Sequence, residues 1–243
     1  MSKTQVDFLV KLKKKKHRDL HKKFLIENPK VIFEEYRNPL LDSIYVTDNF
    51  FDQNEDVSVF KNVIRLSEKD FAKVSNQVSP QGLAALFAIP EEKDFTYNPK
   101  DVLLLYGIQD PGNLGTIIRT ADWFGFRNIF LSTNCVEAYN PKVISATMGS
   151  IFNVNIFSDV DLPWLISELK KARYKIVVTD LAGEESTFNK KDKIALVIGN
   201  EAKGVSTTIK EMADKRFKII KHGQAESLNA SVAAGIVMNQ VKS

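Results

Sequence analysis

The chain has 243 residues, of which 44% are hydrophobic, with a formal net charge of +4, one cysteine and three histidines. This length allows one large domain or two modest ones, and no apolar run approaches the roughly 20 residues that a membrane span needs. The start lacks the pattern of a signal peptide, so we expect a cytoplasmic protein without membrane contact. Because Cys135 stands alone and His17 and His21 lie among lysines, we expect no disulfide and no metal site.

The positive charge is concentrated at the amino terminus. Residues 1–23 carry nine Lys or Arg side chains against two Asp, a net charge of +7, so the rest of the chain is net negative. Such a segment favours a polyanionic partner, because each neutralised phosphate releases condensed counterions. The alternative is a frayed, solvated terminus whose lysines serve only solubility.

The predicted elements fall into two groups along the chain. Up to about residue 90 they are a basic helix, strands at 43–47 and 62–67, a helix that opens at Ser67, and a strand at 82–89. Residues 90–101 carry two prolines and a charge cluster without apolar periodicity, which predicts a linker.

Beyond residue 101, apolar strands alternate with helical stretches. Near-continuous Val, Ile and Leu runs predict strands at 102–108, 128–132, 175–181, 194–200 and 216–220. Strands of this kind, separated by helices, are typical of an α/β fold with a mostly parallel sheet that is covered on both faces.

A polar loop at 106–126 follows the first of these strands, at the end of a strand where open α/β sheets bind ligands. Residues 110–113 predict a turn, after which a helix begins with one apolar face. Arg119 falls nearly opposite that face, one turn before Trp123. An exposed aromatic beside a guanidinium favours an interface or a stacking surface, and a solvated arginine is the alternative.

A second polar loop, at 196–206, follows another predicted strand. Gly199 and Gly204 bracket Asn200 and Glu201 there, so the backbone can approach a ligand closely beside a carboxylate. No G-x-G-x-x-G or P-loop pattern is present in the chain, which argues against a dinucleotide-binding or P-loop enzyme.

The third polar stretch, residues 224–235, places Ser227 and Asn229 directly before an Ala/Val-rich helix. The sequence indicates a helix start at Ser227, whose hydroxyl can accept from backbone N–H groups of the first turn, and such a start can hold an anionic or carbonyl oxygen. Cys135 has no basic neighbour in "STNCVEAYN", so we interpret it as a structural thiol and not as a nucleophile.

Taken in order, these three segments resemble the three motifs of the SpoU/TrmH-type RNA ribose 2′-O-methyltransferases of the SPOUT superfamily. The matching residues are Asn113, Gly115, Arg119, Ala121, Phe124 and Gly125 in the first motif, Gly199, Asn200, Glu201 and Gly204 in the second, and Ser227, Leu228, Asn229, Ser231 and Gly235 in the third. The match covers roughly residues 100–243, and its specificity comes from joint occurrence in this order. Residues 11–27 and 79–90 are similar to the family's RNA-binding extension.

The resemblance implies a small α/β RNA-binding domain at 1–94 and a methyltransferase domain at 95–243 with a C-terminal trefoil knot. General topology rules alone argue against any knot, because knots are very rare. It also implies S-adenosylmethionine as cofactor and a homodimer that completes each site. The implied cofactor contacts are Gly199, Asn200, Gly204, Ile219, Ser227, Leu228 and Asn229.

By the same resemblance, the implied catalytic residues are Arg119, Asn113, Glu201, Ser227 and Asn229. The family sometimes assigns Arg119 the role of general base. Because arginine is effectively always protonated, orientation of a substrate phosphate or stabilisation of an alkoxide is the chemically easier role.

The implied function is methylation of a ribose 2′-hydroxyl in RNA, with ribosomal RNA favoured over transfer RNA. The main alternative is a non-catalytic RNA-binding or ribosome-assembly protein on the same fold, and a nucleotide-dependent metabolic enzyme lacks its phosphate loop. Asn28, Ser145 and Asn155 depart from residues common in the family. The identity of the target is therefore less determined than the type of reaction.

Overall fold

The computed structural model describes residues 2–92, 94–98, 100–185, 187–200 and 203–243. The chain divides into two compact units. The first unit contains the chain up to Glu91 together with Tyr139–Gly149, and the second contains Glu92–Ala138 and Ser150–Ser243. The first unit therefore includes Tyr139–Gly149, a short excursion from the middle of the chain. Two continuous ranges of the sequence cannot describe this arrangement.

The first unit is a small α/β structure around a four-stranded sheet of order β1-β4-β2-β3. The strands β2 and β3 are parallel, and the other neighbours are antiparallel. Its strands are β1 (Lys23–Ile26), β2 (Leu41–Thr47), β3 (Val63–Leu66) and β4 (Leu83–Ala88), and its helices are α1 (Lys3–Lys11), α2 (Lys15–His21), α3 (Pro29–Glu34), α4 (Asp48–Gln53), α5 (Glu68–Val74) and α7 (Pro141–Thr147). The three predicted strands are confirmed as β2, β3 and β4, whereas β1 follows directly on the lysine-rich segment and was missed.

The basic amino terminus is folded into this unit. Helix α1 begins with a capping box, in which Ser2 Oγ accepts from Gln5 N and Gln5 Oε1 accepts from Ser2 N at 3.0 Å. Val6 and Leu9 are buried in the core of the unit, while lysines 14–16 are exposed. The terminus is therefore folded and not frayed, whereas the role of its exposed lysines, in binding a polyanion or only in solubility, stays a prediction.

The second unit is built on a parallel sheet of order β10-β8-β9-β5-β6-β7. Every neighbouring pair of these six strands is parallel. The strands are β5 (Asp101–Leu105), β6 (Asn128–Ser132), β7 (Asn155–Val160), β8 (Tyr174–Glu184), β9 (Lys193–Ile198) and β10 (Lys215–Phe217), and the helices are α6 (Pro111–Trp123), α8 (Leu162–Lys171), α9 (Thr207–Met212) and α10 (Ala230–Lys242). Five strands were predicted, and β7 was missed because most of its residues are exposed or half-buried at the sheet edge.

Both faces of this sheet are covered, as the apolar strands predicted. All residues of β5 are buried, and Val102 and Leu104 share an apolar cluster with Leu165 on α8. Since side chains alternate along a strand, the neighbours of these two residues face the other side of the sheet. Phe95, within the segment predicted as a linker, packs edge-on against Phe130 with ring centroids 4.9 Å apart. Aromatic anchoring of an irregular segment leaves no periodic signal in the sequence.

Helices α6 and α10 pack side by side and run parallel. Their first turns are joined through Asn113 and Asn229, and further along both helices a Cβ added at Gly235 would lie 3.6 Å from Thr120 Cγ2. The chain reaches α10 from β10, at one edge of the sheet, although α10 packs on α6 and on the central strand β9. Residues 218–229 therefore lead the chain from the sheet edge back to its middle.

Candidate active site at the carboxyl ends of the central strands

The sheet order reverses between β5 and β9. From β5 the chain proceeds outward through β6 to β7, while β9 lies on the opposite side of β5. Ligands of open α/β sheets bind in the crevice at such a switch point, outside the carboxyl ends of the strands. We name three segments near this crevice. The first loop is residues 106–113, which follow β5 and include the first turn of α6. The second loop is residues 199–205, which follow β9, and the third loop is residues 224–229, which precede α10.

A side-chain amide connects the first and second loops. Asn200 Nδ2 donates to the carbonyl oxygen of Gly107 at 2.9 Å, and Asn200 Oδ1 accepts from Lys203 N at 3.1 Å. Two backbone hydrogen bonds between Asn200 and Gly204, of 3.2 and 2.9 Å, close the turn. Both ends of the Asn200 amide are thus used within the protein, and this residue shapes the second loop.

The two glycines of the second loop are required for different reasons. A Cβ at Gly199 would lie 2.5 Å from the carbonyl carbon of Gly204 and 2.8 Å from Val205 N, so only glycine fits there. Gly204 has a φ of +61°, a conformation that side chains rarely adopt. Glu201, a predicted catalytic residue of this loop, lies outside the described residues.

Another amide pair connects the first and third loops. Asp110 Oδ1 caps α6 by accepting from Asn113 N at 2.7 Å, with Pro111 in the first turn of the helix. Asn113 Oδ1 then accepts from Asn229 Nδ2 at 2.9 Å. Asn229 Oδ1 accepts from Ser231 N at 2.9 Å and from Ser231 Oγ at 2.6 Å, so Asn229 caps α10. The predicted site residues Asn113 and Asn229 are therefore brought into direct contact.

The remaining residues of the third motif lie in the connection that leads to α10. Ser227 is exposed and Leu228 is 44% exposed, whereas Ile219 is half-buried just after β10. The sequence indicated a helix start at Ser227, but α10 begins at Ala230 because the Asn229 side chain supplies the cap. The contact of Ser227, Leu228 and Ile219 with a cofactor stays a prediction.

Arg119 projects from α6 in a different direction from Asn113. Six residues at 3.6 per turn place the two side chains about 120° apart around the helix axis. Arg119 is exposed on the outer face of α6, opposite the buried face, as the sequence predicted. Trp123 lies one turn further on the same face and is 84% exposed. Within one chain, Arg119 therefore does not point towards the Asn113–Asn229 pair.

Hydrogen bonds from residues after β6 support the first loop, and sequence analysis did not identify these residues. Gly107 N donates to Ser132 Oγ at 3.0 Å, and Ser132 Oγ donates to Asn134 Oδ1 at 2.5 Å. Cys135 Sγ donates to Leu105 O at 3.2 Å, which agrees with a structural thiol. The signal for this network was weak, since polar residues after β6 resemble those of any loop.

Two of the histidines, and two of the three residues that depart from the family pattern, have local structural roles. His17 and His21 stack with ring centroids 6.2 Å apart, and partial burial together with nearby Lys11 lowers the pKa of His17. Asn28 caps α3, and Asn155 Nδ2 donates to an asparagine of β6. Among the residues that the structure describes, no group of three or more His, Cys, Asp or Glu side chains is arranged to hold a metal ion.

Comparison with known proteins places this geometry in a family. Residues 100–239 match the SpoU rRNA Methylase family, and residues 3–85 match the MRM3-like substrate binding domain. The 23S rRNA (guanosine(2553)-2′-O)-methyltransferase RlmP of Bacillus subtilis is 34% identical over 235 residues, which are 96% of this chain and 93% of RlmP.

Solved structures also match this chain over nearly its whole length, for example the following two. A TrmH-family protein from Porphyromonas gingivalis is 29% identical with a TM-score of 0.86, over 99% of this chain and 98% of that one. An AdoMet-bound rRNA methyltransferase from Sinorhizobium meliloti is 26% identical with a TM-score of 0.81, over 100% of this chain and 96% of that one. These likenesses confirm the predicted α/β SPOUT fold class. The chain therefore belongs to the SpoU rRNA methylase family.

Proposed function

We propose that this chain transfers a methyl group from S-adenosylmethionine to a ribose 2′-hydroxyl of ribosomal RNA. The observation that carries the proposal is the joining of three loops at the switch point of the sheet, through the Asn200–Gly107 and Asn113–Asn229 hydrogen bonds. The presence of the motif residues Asn113, Arg119 and Asn229 argues against a non-catalytic RNA-binding protein on the same fold. The 34% identity to a 23S rRNA 2′-O-methyltransferase supports the same reaction.

The second loop fits a cofactor that is held by backbone groups. Gly199 has no room for a side chain and Gly204 has a positive φ, so at these two positions the loop offers a ligand only main-chain N–H and C=O groups. The cofactor supplies an electrophilic methyl group on a sulfonium. We assign its contacts to Gly199, Asn200 and Gly204 of the second loop, to Ile219, and to Ser227, Leu228 and Asn229 of the third loop.

The protein side chains must align the ribose oxygen and stabilise the negative charge that develops on it. We assign this role to Arg119, whose permanent charge suits a phosphate or an alkoxide and not the acceptance of a proton. The Asn113 side chain holds Asn229 in position through their hydrogen bond. Ser227 and Glu201 complete the proposed catalytic set.

We further propose a homodimer that completes each site. Arg119 projects away from the Asn113–Asn229 pair of its own chain, so a second copy is the simplest way to bring the two together. Leu228 and Val232, beside and within the first turn of α10, are 44% and 50% exposed, which supports an apolar contact there. In this arrangement Arg119 of one chain acts at the loops of its partner.

The proposed division of labour gives residues 1–94 the RNA-binding role and residues 95–243 the transfer role. The match of residues 3–85 to a substrate binding domain and the exposed lysines of α2 support this assignment. In the described residues, no helix has both the length and the apolarity to cross a membrane. A cytoplasmic location agrees with action on ribosomal RNA.

Calorimetric titration with S-adenosylmethionine and its demethylated product, beside a radiolabelled transfer assay, tests the proposal. The substrates are in vitro transcribed 23S ribosomal RNA and unmodified transfer RNA. We expect cofactor binding and label in an alkali-resistant linkage of the ribosomal transcript. Absence of cofactor binding would favour the non-catalytic alternative, and label only in transfer RNA would correct the substrate.

A further inference from the structure

The outer face of α6 borders an open groove of about 630 Å³. Its lining residues are Thr116, Arg119, Thr120, Asp122, Trp123 and Ser150. Trp123 is 84% exposed, although tryptophan is among the side chains that gain most from burial. Trp164 is also exposed, but only Trp123 of the two lines the groove, so an occupant of the groove would cover it.

The lining of the groove has the chemistry of a nucleotide site. The indole offers a flat aromatic face, the guanidinium of Arg119 one turn away offers a fixed positive charge, and hydroxyls of Thr116 and Ser150 offer hydrogen bonds. The one carboxylate of the lining, Asp122, accepts from Asn153 Nδ2 at 2.9 Å. Base stacking on an aromatic together with an arginine at the phosphate is a recurrent mode of single-stranded RNA binding.

We propose that Trp123 stacks on a base of the RNA substrate next to the methylated ribose, while Arg119 holds the adjoining phosphate. This inference rests on the proposed function and adds a positioning residue to it. The proposed homodimer brings the loops of the partner chain to Arg119, so the competing assignment is that the partner chain, and not RNA, covers Trp123. An interface between copies needs contiguous apolar surface, whereas Trp123 is the one large apolar side chain among the six lining residues.

Trp123→Ala, with Trp123→Phe as the conservative variant, tests the proposal by kinetics. The matched control is Trp164→Ala, because Trp164 is 58% exposed on α8 of the same unit and lies outside the groove. With in vitro transcribed 23S ribosomal RNA, we expect Trp123→Ala to raise KM for RNA by about fivefold or more, as loss of one stacked base does. Trp123→Phe should restore most of this loss, and cofactor affinity should stay unchanged in all three variants.

Fluorescence gives an independent readout, since Trp123 and Trp164 are the two tryptophans of the chain. The same transcript should quench emission of the Trp164→Phe variant, in which Trp123 is the reporter, and leave that of Trp123→Phe unchanged.

An unaltered KM for Trp123→Ala in an active enzyme overturns the inference and leaves the proposed function standing. A Trp123→Ala protein that becomes monomeric assigns the groove to a second copy instead. If the unmodified chain transfers no methyl group to RNA, the proposed function is refuted. The fluorescence quenching would still show whether Trp123 contacts RNA.

Discussion

At the scale of single residues, side-chain amides and glycines organise the candidate site. Asn200 joins the second loop to Gly107, and Asn229 joins the third loop to Asn113. Each of these amides uses both its donor and its acceptor, so its orientation is fixed. Asn200 and Asn229 are therefore held in place by hydrogen bonds within the chain. Arg119 differs from them, because it lies exposed on the outer face of α6.

Arg119→Ala and Asn229→Ala should have different effects. Removal of the guanidinium should lower methyl transfer by about a hundredfold or more, as loss of one charge-stabilising donor does, with cofactor affinity unchanged. Asn229→Ala removes the α10 cap and the bond to Asn113, so cofactor affinity should fall about tenfold. Calorimetry with S-adenosylmethionine and the transfer assay measure the two effects. Equal loss of cofactor binding in both variants would contradict the assignment.

Gly199→Ala should distort the second loop without unfolding the chain. The added methyl would lie 2.5 Å from the Gly204 backbone, so the turn must shift. We expect cofactor affinity to fall by about tenfold or more, measured by calorimetry, with an unchanged circular dichroism spectrum. The matched control is Gly223→Ala, whose methyl meets nothing within 4 Å. If both variants bind the cofactor as the unmodified chain does, the second loop is not its cradle.

At the scale of elements, α10 is fixed at both ends. Asn229 caps its start against α6, and near its end Lys242 Nζ lies 2.5 Å from Asp101 Oδ2 at the beginning of β5. The Asp101 side chain is 2% exposed and also accepts from Ile194 N at 3.2 Å. The second anchor lies at the opposite end of β5 from the candidate site, so it is expected to affect stability more than chemistry.

Lys242→Met should destabilise the protein by leaving the buried Asp101 carboxylate without its ion pair. Removal of one partner of a buried ion pair costs roughly 3–5 kcal/mol. Because the Lys242 side chain is partly exposed, we expect the free energy of unfolding to fall by about 3 kcal/mol. Denaturant unfolding at neutral pH measures the change in the free energy of unfolding. Lys175→Met, at an exposed lysine of β8, is the control. A loss no larger than that of the control would show that the pair contributes little.

At the scale of the whole molecule, the proposed mechanism requires Arg119 to reach the loops to which we assign the cofactor. In one chain it lies about 120° around α6 from Asn113. In the proposed symmetric dimer one interface is used twice, and each chain would lend Arg119 to its partner. The exposed Leu228 and Val232 supply apolar surface for such an interface.

Mixing the Arg119→Ala and Asn229→Ala variants tests this arrangement. If each site takes Arg119 from one chain and Asn229 from the other, every mixed dimer has one intact site. Random mixing should then restore about a quarter of the unmodified rate, since half of the dimers are mixed and one of their two sites works. If both residues act within one chain, mixing restores nothing. Each variant mixed with itself provides the background, and light scattering checks that the proteins are dimeric.

The sequence by itself determined the fold class, the family and the positions of the three loops. Apolar strands that alternate with helices report burial on both faces of a sheet, and the order of the three motifs is specific to the family. The outward position of Arg119 also followed from the sequence, because helical periodicity depends only on local spacing.

Only the tertiary structure decided which of these residues meet. The Asn113–Asn229 bond joins residues 116 positions apart, and the excursion Tyr139–Gly149 packs with the first unit. Phe95 is anchored by Phe130, a partner distant in the sequence. The start of α10 at Ala230 depends on the orientation of the Asn229 side chain. Such contacts are set by the path of the chain through space, which local propensity and hydrophobic periodicity do not encode.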